Sequence, residues 1–131
     1  MPSIFSRIVS GELPSYRLAE DSEFLAFLDI RPLNPGHALV IPKREIDHFF
    51  DLNSELLGRI LLFAKPIADA IQEVTGCDRI AAVVAGFDVP HAHLHLLPAN
   101  TMADLDFARA KPADPEELQA MAQKIREALG R

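Results

Sequence analysis

An alternation of histidine with apolar residues constrains the fold of this chain more than any other feature. The run His91-Ala-His-Leu-His-Leu-Leu97 places three of the five histidines at every second position. Side chains alternate faces along an extended strand, so the three imidazoles are expected on one face, with same-face neighbours roughly 7 Å apart. Ala92, Leu94 and Leu96 then suit a core. We therefore predict a strand with one apolar face and one exposed face of nitrogen bases.

Three chemistries suit such a row of imidazoles: metal chelation, nucleophilic catalysis and phosphate binding. Neutral imidazole is both a metal ligand and a nucleophile near neutral pH. Zinc and iron sites usually add a carboxylate or a third ligand from elsewhere. The residues directly after the run, 96–102, offer no carboxylate, although His37 is available as a further ligand. A metal site is therefore the less favoured interpretation, and it stays open.

Composition indicates a small globular protein, expected as one domain over residues 1–131 with 49% hydrophobic residues. We expect no membrane span, because no window of about 18 apolar residues occurs. The N-terminus lacks the features of a signal peptide, and Cys77 is the single cysteine, so a cytoplasmic location is expected. A net charge of −6, with no basic run longer than Lys43-Arg44, disfavours nucleic acid as a partner. A small phosphorylated molecule in a local cleft remains compatible with this charge.

Hydrophobic periodicity and turn residues predict an α+β fold: an antiparallel sheet of about five strands with a long helix and a C-terminal helix. The long helix is expected from an Asn53 cap to about Gly76, with a kink at Pro66. The last helix is expected from Asp114, with Glu117 at capping-box spacing, to Gly130. A first helix is predicted over 4–9, and strands are predicted over 16–20, 24–28, 37–41, 80–85 and 91–97.

At this point the chain resembles a known family. The histidine run matches the motif of histidine triad (HIT) nucleotide hydrolases and transferases, in which three histidines alternate with apolar residues. The similarity extends to Ile4–Pro14, Ala26–Pro32 and Pro35–Lys43, which resemble the opening helix and two strands of that family. It covers a core of roughly residues 3–98. Residues 101–131 form a variable C-terminal extension outside it.

The resemblance implies a reaction at phosphorus. In this family a histidine attacks the α-phosphorus of a nucleoside phosphoramidate, a dinucleotide or a related ester, and water then cleaves the nucleotidyl-histidine. Residue for residue, His93 is the implied nucleophile and His95 the hydrogen-bond donor to the phosphoryl oxygens. His91 and His37 are implied to set tautomer and orientation. The resemblance implies neither a metal nor another cofactor.

The same resemblance implies a nucleoside pocket and an assembly. Asp29 is expected to bind the ribose hydroxyls, because a carboxylate accepts two donors. The implied ligand is a purine nucleotide or nucleotide conjugate, and the implied assembly is a homodimer in which the long helix supplies an interface. The residues expected to wall the base pocket are Ile4, Phe5, Ile8, Phe27 and Ile30.

The connection before the triad departs from the pattern of many members. Residues 85–90 form a short loop, typical of a shortened-loop bacterial branch, and Asp88 stands where those members carry a serine that contacts the phosphate or the leaving group. A carboxylate there repels phosphate unless it is protonated or paired. It favours a cationic amine as the leaving group. Two alternatives stay open: a non-catalytic nucleotide-binding module, and a metal-dependent enzyme using His37, His91, His93 and His95.

Overall fold

The computed structural model describes residues 2–130, so Met1 and Arg131 of the expected domain lie outside the description. Three helices and five strands form its regular framework. The helices are α1 (Ile4–Val9), α2 (Ser54–Thr75) and α3 (Pro115–Leu129). The strands are β1 (Arg17–Glu20), β2 (Phe24–Leu28), β3 (Ala38–Pro42), β4 (Arg79–Val83) and β5 (Leu94–Ala99).

All five strands join one antiparallel sheet in the order β1-β2-β3-β5-β4. The predicted α+β architecture with an antiparallel sheet of about five strands is therefore confirmed. Strand β5 lies between β3 and β4, so the histidine segment leads directly into the middle of the sheet. Strand β5 therefore has a hydrogen-bonded strand on each side.

The long helix ends where the sequence predicts. The Asn53 side chain accepts a hydrogen bond from the Leu56 amide, and Gly76 ends the helix with φ of 71°, a conformation that favours glycine. The expected kink at Pro66 does not interrupt α2, which continues through it. At α3 the Asp114 side chain accepts from the amide of Glu116, so this bond caps the helix instead of the predicted pairing with Glu117.

The two faces of the sheet carry separate apolar clusters. Helices α2 and α3 cover one face, where Ala92, Leu94 and Leu96 are buried, as predicted. The opposite face carries a smaller cluster in which Phe5 and Ile8 of α1 pack on Phe27 and its neighbours in β2 and β3. The histidines face this second, more thinly covered side.

The strand limits differ from the prediction around the triad. Strand β5 begins at Leu94, so only His95 lies in it, and His91 and His93 precede it. The reason is in the backbone: the His91 amide bonds the Val89 carbonyl, and the Ala92 amide bonds the Ile46 carbonyl in a loop rather than a strand. Strand β4 likewise ends at Val83, two residues before the predicted end. Among residues 2–130, no helix is long and apolar enough to cross a membrane.

Candidate active site

The triad forms a compact group of rings that is buried rather than exposed. His91, His93 and His95 are 0%, 3% and 5% exposed, so the predicted exposed histidine face is wrong. The ring of Phe5 stands edge-on over His91 and His93, with centroids 5.8 and 5.1 Å away. The rings of His93 and His95 lie 5.0 Å apart. Helix α1, which brings Phe5 over the site, supplies the cover that a strand pattern alone does not reveal.

The hydrogen bond at His93 determines which of its nitrogens is free. His93 Nδ1 lies 2.7 Å from the His91 carbonyl oxygen. A carbonyl only accepts, so Nδ1 carries the proton, and in the neutral ring the lone pair then resides on Nε2. The backbone of His91 thus leaves the next triad residue, His93, with an accepting nitrogen at Nε2.

His91 is held from both of its ring nitrogens. Its Nε2 donates to the Pro42 carbonyl at 2.8 Å, so Nδ1 is the acceptor and receives the Ser3 hydroxyl at 2.8 Å. Ser3 also caps α1, and Glu45 accepts bonds from the Ser3 amide and the Ser6 hydroxyl. This Ser3–Ser6–Glu45 network ties α1 to the triad and fixes the carbonyl that orients His93.

A relay of hydrogen bonds assigns the proton of His95. The Leu33 amide donates to His37 Nδ1 at 3.1 Å, so the proton of neutral His37 is on Nε2. That Nε2–H donates to His95 Nδ1 at 2.9 Å. His95 must therefore carry its own proton on Nε2, where it is available to an incoming ligand. The relay makes His95 Nε2 a donor, next to the accepting Nε2 of His93.

Burial keeps the relay neutral. It lowers the pKa of His37 to about 3, with the neighbouring His95 contributing, and it lowers the pKa of His95 to about 4, with His93 contributing. The pKa of His91 is also lowered, again chiefly by burial. Near pH 7 these three groups are therefore uncharged. The 3.6 Å separation of Asp29 Oδ2 from His37 Nε2 is accordingly not an ion pair.

Asp29 lies at the end of β2, next to the relay. Its Oδ1 accepts the Arg31 amide, and its backbone amide bonds the His37 carbonyl, which closes the loop between β2 and β3. Burial raises the pKa of Asp29 against the opposing effect of the Arg31 amide and the His93 ring. Oδ1 is thus occupied by the Arg31 amide of the loop. Oδ2 lies beside His37 and can accept a further hydrogen bond.

The residues expected to wall the base pocket divide into two groups. Phe5, Ile8 and Phe27 are buried, and the rings of Phe5 and Phe27 pack edge-to-face at 5.6 Å. Ile4 and Ile30 are 54% and 60% exposed. The first group therefore forms a floor of the second apolar cluster, while the two isoleucines present large apolar surfaces to solvent beside it.

Asp88 is exposed on the loop between β4 and β5. Its charge raises the pKa of both Asp29 and His95 as a secondary effect, so it lies within electrostatic reach of both groups. The short loop thus holds an exposed carboxylate close enough to act on Asp29 and His95 through its charge. Gly86 bends this loop with φ of 80°.

One group of described side chains has the spacing of a cation site. Ligand atoms of Asp29, His37 and His95 lie within 4.8 Å of one another. Two nitrogens of this group, His37 Nε2 and His95 Nδ1, are however already joined by the hydrogen bond of the relay. A separate cavity of about 570 Å³ between the β2–β3 loop and α3 reaches His37 but is not lined by the triad.

Three contributors to the site were not singled out from the sequence. Ser3 and Glu45 lie far from the triad along the chain, and their types are common on surfaces. Phe107 belongs to a short 3₁₀ helix (Phe107–Arg109) in the extension, and its ring centroid lies 5.0 Å from that of His95. The only sequence signal for Phe107 was its aromatic side chain in a largely polar extension.

Comparison with known proteins agrees with this geometry. The model of the family described as the HIT domain matches residues 10–102. An adenosine 5′-monophosphoramidase of Schizosaccharomyces pombe is 37% identical over 128 residues, covering 95% of this chain and 96% of that protein. An uncharacterised HIT-like protein of Borreliella burgdorferi is 38% identical over 102 residues, or 72% and 73% of the two chains.

Among solved structures, a HIT-like protein of Bartonella henselae, described as involved in cell-cycle regulation and crystallised with an unknown ligand, superposes with a TM-score of 0.85. The two sequences are 31% identical, and the match covers 96% of this chain and 95% of that one. The match includes α3 and the extension, beyond the residues that the family model covers.

Proposed function

Because the chain belongs to the HIT domain family, we propose that it is a nucleotide hydrolase that cleaves the bond between the α-phosphorus of a nucleotide and its leaving group. The observation that carries the proposal is the pair of complementary nitrogens: a lone pair on His93 Nε2 and a proton on His95 Nε2, on rings 5.0 Å apart. A nucleophile beside a hydrogen-bond donor is what attack on a phosphoryl group requires.

The proposed reaction has two steps. His93 Nε2 attacks the α-phosphorus, and the bond to the leaving group breaks. The leaving group departs with the bonding electrons and takes up a proton from solvent. Water then attacks the same phosphorus and gives a proton to solvent, and the bond from phosphorus to His93 Nε2 breaks, which releases a nucleoside monophosphate and restores His93. In both steps His95 donates its Nε2–H to a phosphoryl oxygen, where negative charge develops. His37 and His91 hold the two reacting rings in the required tautomers.

The nucleoside is proposed to bind on the thinly covered face of the sheet. Asp29 Oδ2 accepts the ribose hydroxyls, and the base packs on the exposed side chains of Ile4 and Ile30, with the buried Phe5, Ile8 and Phe27 as the floor beneath them. A purine offers the larger flat surface, which supports the proposed preference for purine nucleotides or their conjugates. The S. pombe relative named as an adenosine 5′-monophosphoramidase supports the same substrate class.

Two rival functions lead to different results. A non-catalytic module would bind a nucleotide without turnover, and Asp88 favours that rival because its charge opposes a phosphate anion. A metal-dependent enzyme would lose activity with a chelator, and the Asp29–His37–His95 spacing favours that one. The hydrolase proposal requires turnover that persists in chelator.

The test is a substrate screen that follows nucleoside monophosphate release in EDTA. It compares adenosine and guanosine phosphoramidates, dinucleoside polyphosphates and nucleotidyl sulfates. We expect turnover of the amine-linked substrates, because Asp88 attracts a cationic amine and repels a polyphosphate. Tight nucleotide binding with no product from any substrate would reject the proposal in favour of a binding module.

Asp88→Ser serves as the matched variant in this screen, since the short loop and its Gly86 are retained. The ratio of kcat/KM for dinucleoside polyphosphates to that for phosphoramidates should rise, because the variant removes the negative charge from the leaving-group side. An unchanged ratio would show that Asp88 takes no part in choosing the leaving group.

Asp29→Ala should weaken ribonucleotide binding by roughly 1.5–3 kcal/mol, the usual cost of lost charge-assisted hydrogen bonds. Calorimetry with AMP and with 2′,3′-dideoxy-AMP separates this from a structural effect, because the dideoxy ligand has no hydroxyls for Asp29 to bind. Asp29→Asn, which retains an oxygen for the Arg31 amide, is the control for the loop. Equal losses of affinity for both ligands would show that Asp29 does not bind the ribose hydroxyls.

The homodimer is part of the same proposal. Strand β4 is an edge strand, and α2 exposes Leu61 and Leu62, which are 58% and 71% accessible. An unpaired strand edge beside exposed leucines suits pairing with a second copy. A monomer mass by sedimentation equilibrium at micromolar concentration would contradict it.

A further inference from the structure

The ring of Phe107 covers the His37–His95 relay from the side of the C-terminal extension. It stands edge-on to His95 at 5.0 Å and 74°, and to His37 at 6.4 Å and 76°. Phe107 itself is 38% exposed, whereas His37 and His95 are almost completely buried. One side of this ring therefore meets solvent and the other side meets the relay. The family model ends at residue 102, so Phe107 lies beyond its match.

The extension is held in place on both sides of Phe107. Before it, Asp104 accepts the amides of Asn100 and Thr101. After it, the Arg31 side chain donates to the Ala110 carbonyl, and the Ala113 amide bonds the Ile30 carbonyl. The second pair of bonds attaches the extension to the loop that follows Asp29. The position of the ring over the relay is thus fixed by the same loop that shapes the site.

The relay works only while both rings are neutral. A proton added to His95 Nδ1 would point at the Nε2–H of His37. His37 would then have to move its own proton to Nδ1, which faces the Leu33 amide, itself a donor. Protonation of His95 therefore breaks either the bond between the histidines or the bond to Leu33. Keeping water away from this pair preserves the chain of donors.

We infer that Phe107 is a positioning residue for the proposed hydrolase: by covering the His37–His95 pair it keeps water from both imidazoles and so preserves the hydrogen bond from His37 Nε2–H to His95 Nδ1, which orients the His95 Nε2–H towards the phosphoryl oxygen. This inference rests on the proposed function for its role in turnover, but its effect on the histidines is independent of any substrate. It also assigns a task to the extension that the sequence leaves unassigned.

The charges around the pair are compatible with this role. His93 disfavours a proton on His95, whereas Asp88 favours one. Asp29 lies 3.6 Å from His37. The charged groups next to Phe107 in the sequence have partners: Asp106 caps the 3₁₀ helix of Phe107, and Arg109 pairs with Asp104. Burial is the largest influence on the pKa of both histidines, and the Phe107 ring packs against both of them.

The inference is tested by following the ring signals of His37 and His95 against pH by NMR in the full chain without ligand. In Phe107→Ala the pKa of His95 should rise by at least about one unit towards the ordinary value of about 6.5, because water reaches the ring. Phe107→Leu, which keeps an apolar cover, should shift it less than half as far. Phe50→Ala removes an exposed phenylalanine elsewhere and should change neither histidine.

Turnover provides the second measurement. The acidic limb of the pH profile of kcat/KM should move to higher pH in Phe107→Ala, whereas Phe50→Ala should keep the wild-type profile. Unchanged histidine titrations in a folded Phe107→Ala protein would overturn the inference. If Phe107→Ala does not fold, Phe107→Gln and Phe107→Leu are compared instead. Equal pKa values of His37 and His95 in these two variants would reject the positioning role of Phe107. An absence of turnover in the wild type would reject the hydrolase and leave the NMR result intact.

Discussion

Replacing His93 with asparagine is expected to lower kcat by roughly 10⁴-fold or more, the scale seen when an enzyme loses its nucleophile. The asparagine amide can still donate to the His91 carbonyl from a position near that of Nδ1. It has no atom at the position of Nε2. The variant therefore removes the proposed nucleophile while keeping the local hydrogen bond that the structure shows at 2.7 Å.

The measurement combines steady-state rates with mass spectrometry of protein quenched in base during turnover, because the bond between phosphorus and a histidine nitrogen is labile in acid. Wild-type protein should carry a nucleotidyl group on the peptide that contains His93, and the variant should carry none. Since His93 is buried, thermal unfolding of the variant is the control for loss of fold. Substantial turnover by a folded His93→Asn protein would exclude the covalent mechanism.

Replacing His95 with alanine should lower kcat by roughly 10²–10³-fold, the usual cost of removing one donor to a developing oxyanion. The change in KM should be small, because the bond strengthens chiefly as charge develops in the transition state. His95→Gln is the informative partner variant, since its amide nitrogen lies near the position of Nε2. It should recover part of the lost rate.

His48→Ala is the matched control for deleting a histidine. Its side chain is 80% exposed, away from the triad, and its loss should leave kcat unchanged. A His95→Ala protein that retains activity within threefold of the wild type would show that another group stabilises the phosphoryl charge. The relay through His37 would then have no catalytic consequence.

Much of the framework could be predicted because it depends on local patterns. The alternation of Ala92, Leu94 and Leu96 places those residues in the core, and Asn53 and Gly76 mark the ends of α2 through their own conformational preferences. The residues of the triad follow from the same alternation. These features need only neighbours in the sequence.

The burial of the triad could not be predicted in this way, because its cover comes from distant segments. Phe5 reaches His93 from the first helix, and Phe107 reaches His95 from the extension. The start of β5 depends on the hydrogen bond from the Ala92 amide to the Ile46 carbonyl, which no sequence pattern predicts. The proton positions likewise require the Leu33 amide and the Pro42 carbonyl, which are backbone groups without a sequence signature.

The separation of the two apolar clusters has an evolutionary consequence. Most of the buried apolar surface lies between the sheet and helices α2 and α3, while the histidines lie on the other side, where Phe5 of the short helix α1 and Phe107 of a 3₁₀ helix cover them. Substitutions on the histidine side therefore disturb few of the contacts that keep the chain folded. Substitutions beside the histidines can therefore change what the chain binds at low cost in stability. The residues that maintain the fold and the residues that would contact a ligand lie on opposite faces of one sheet.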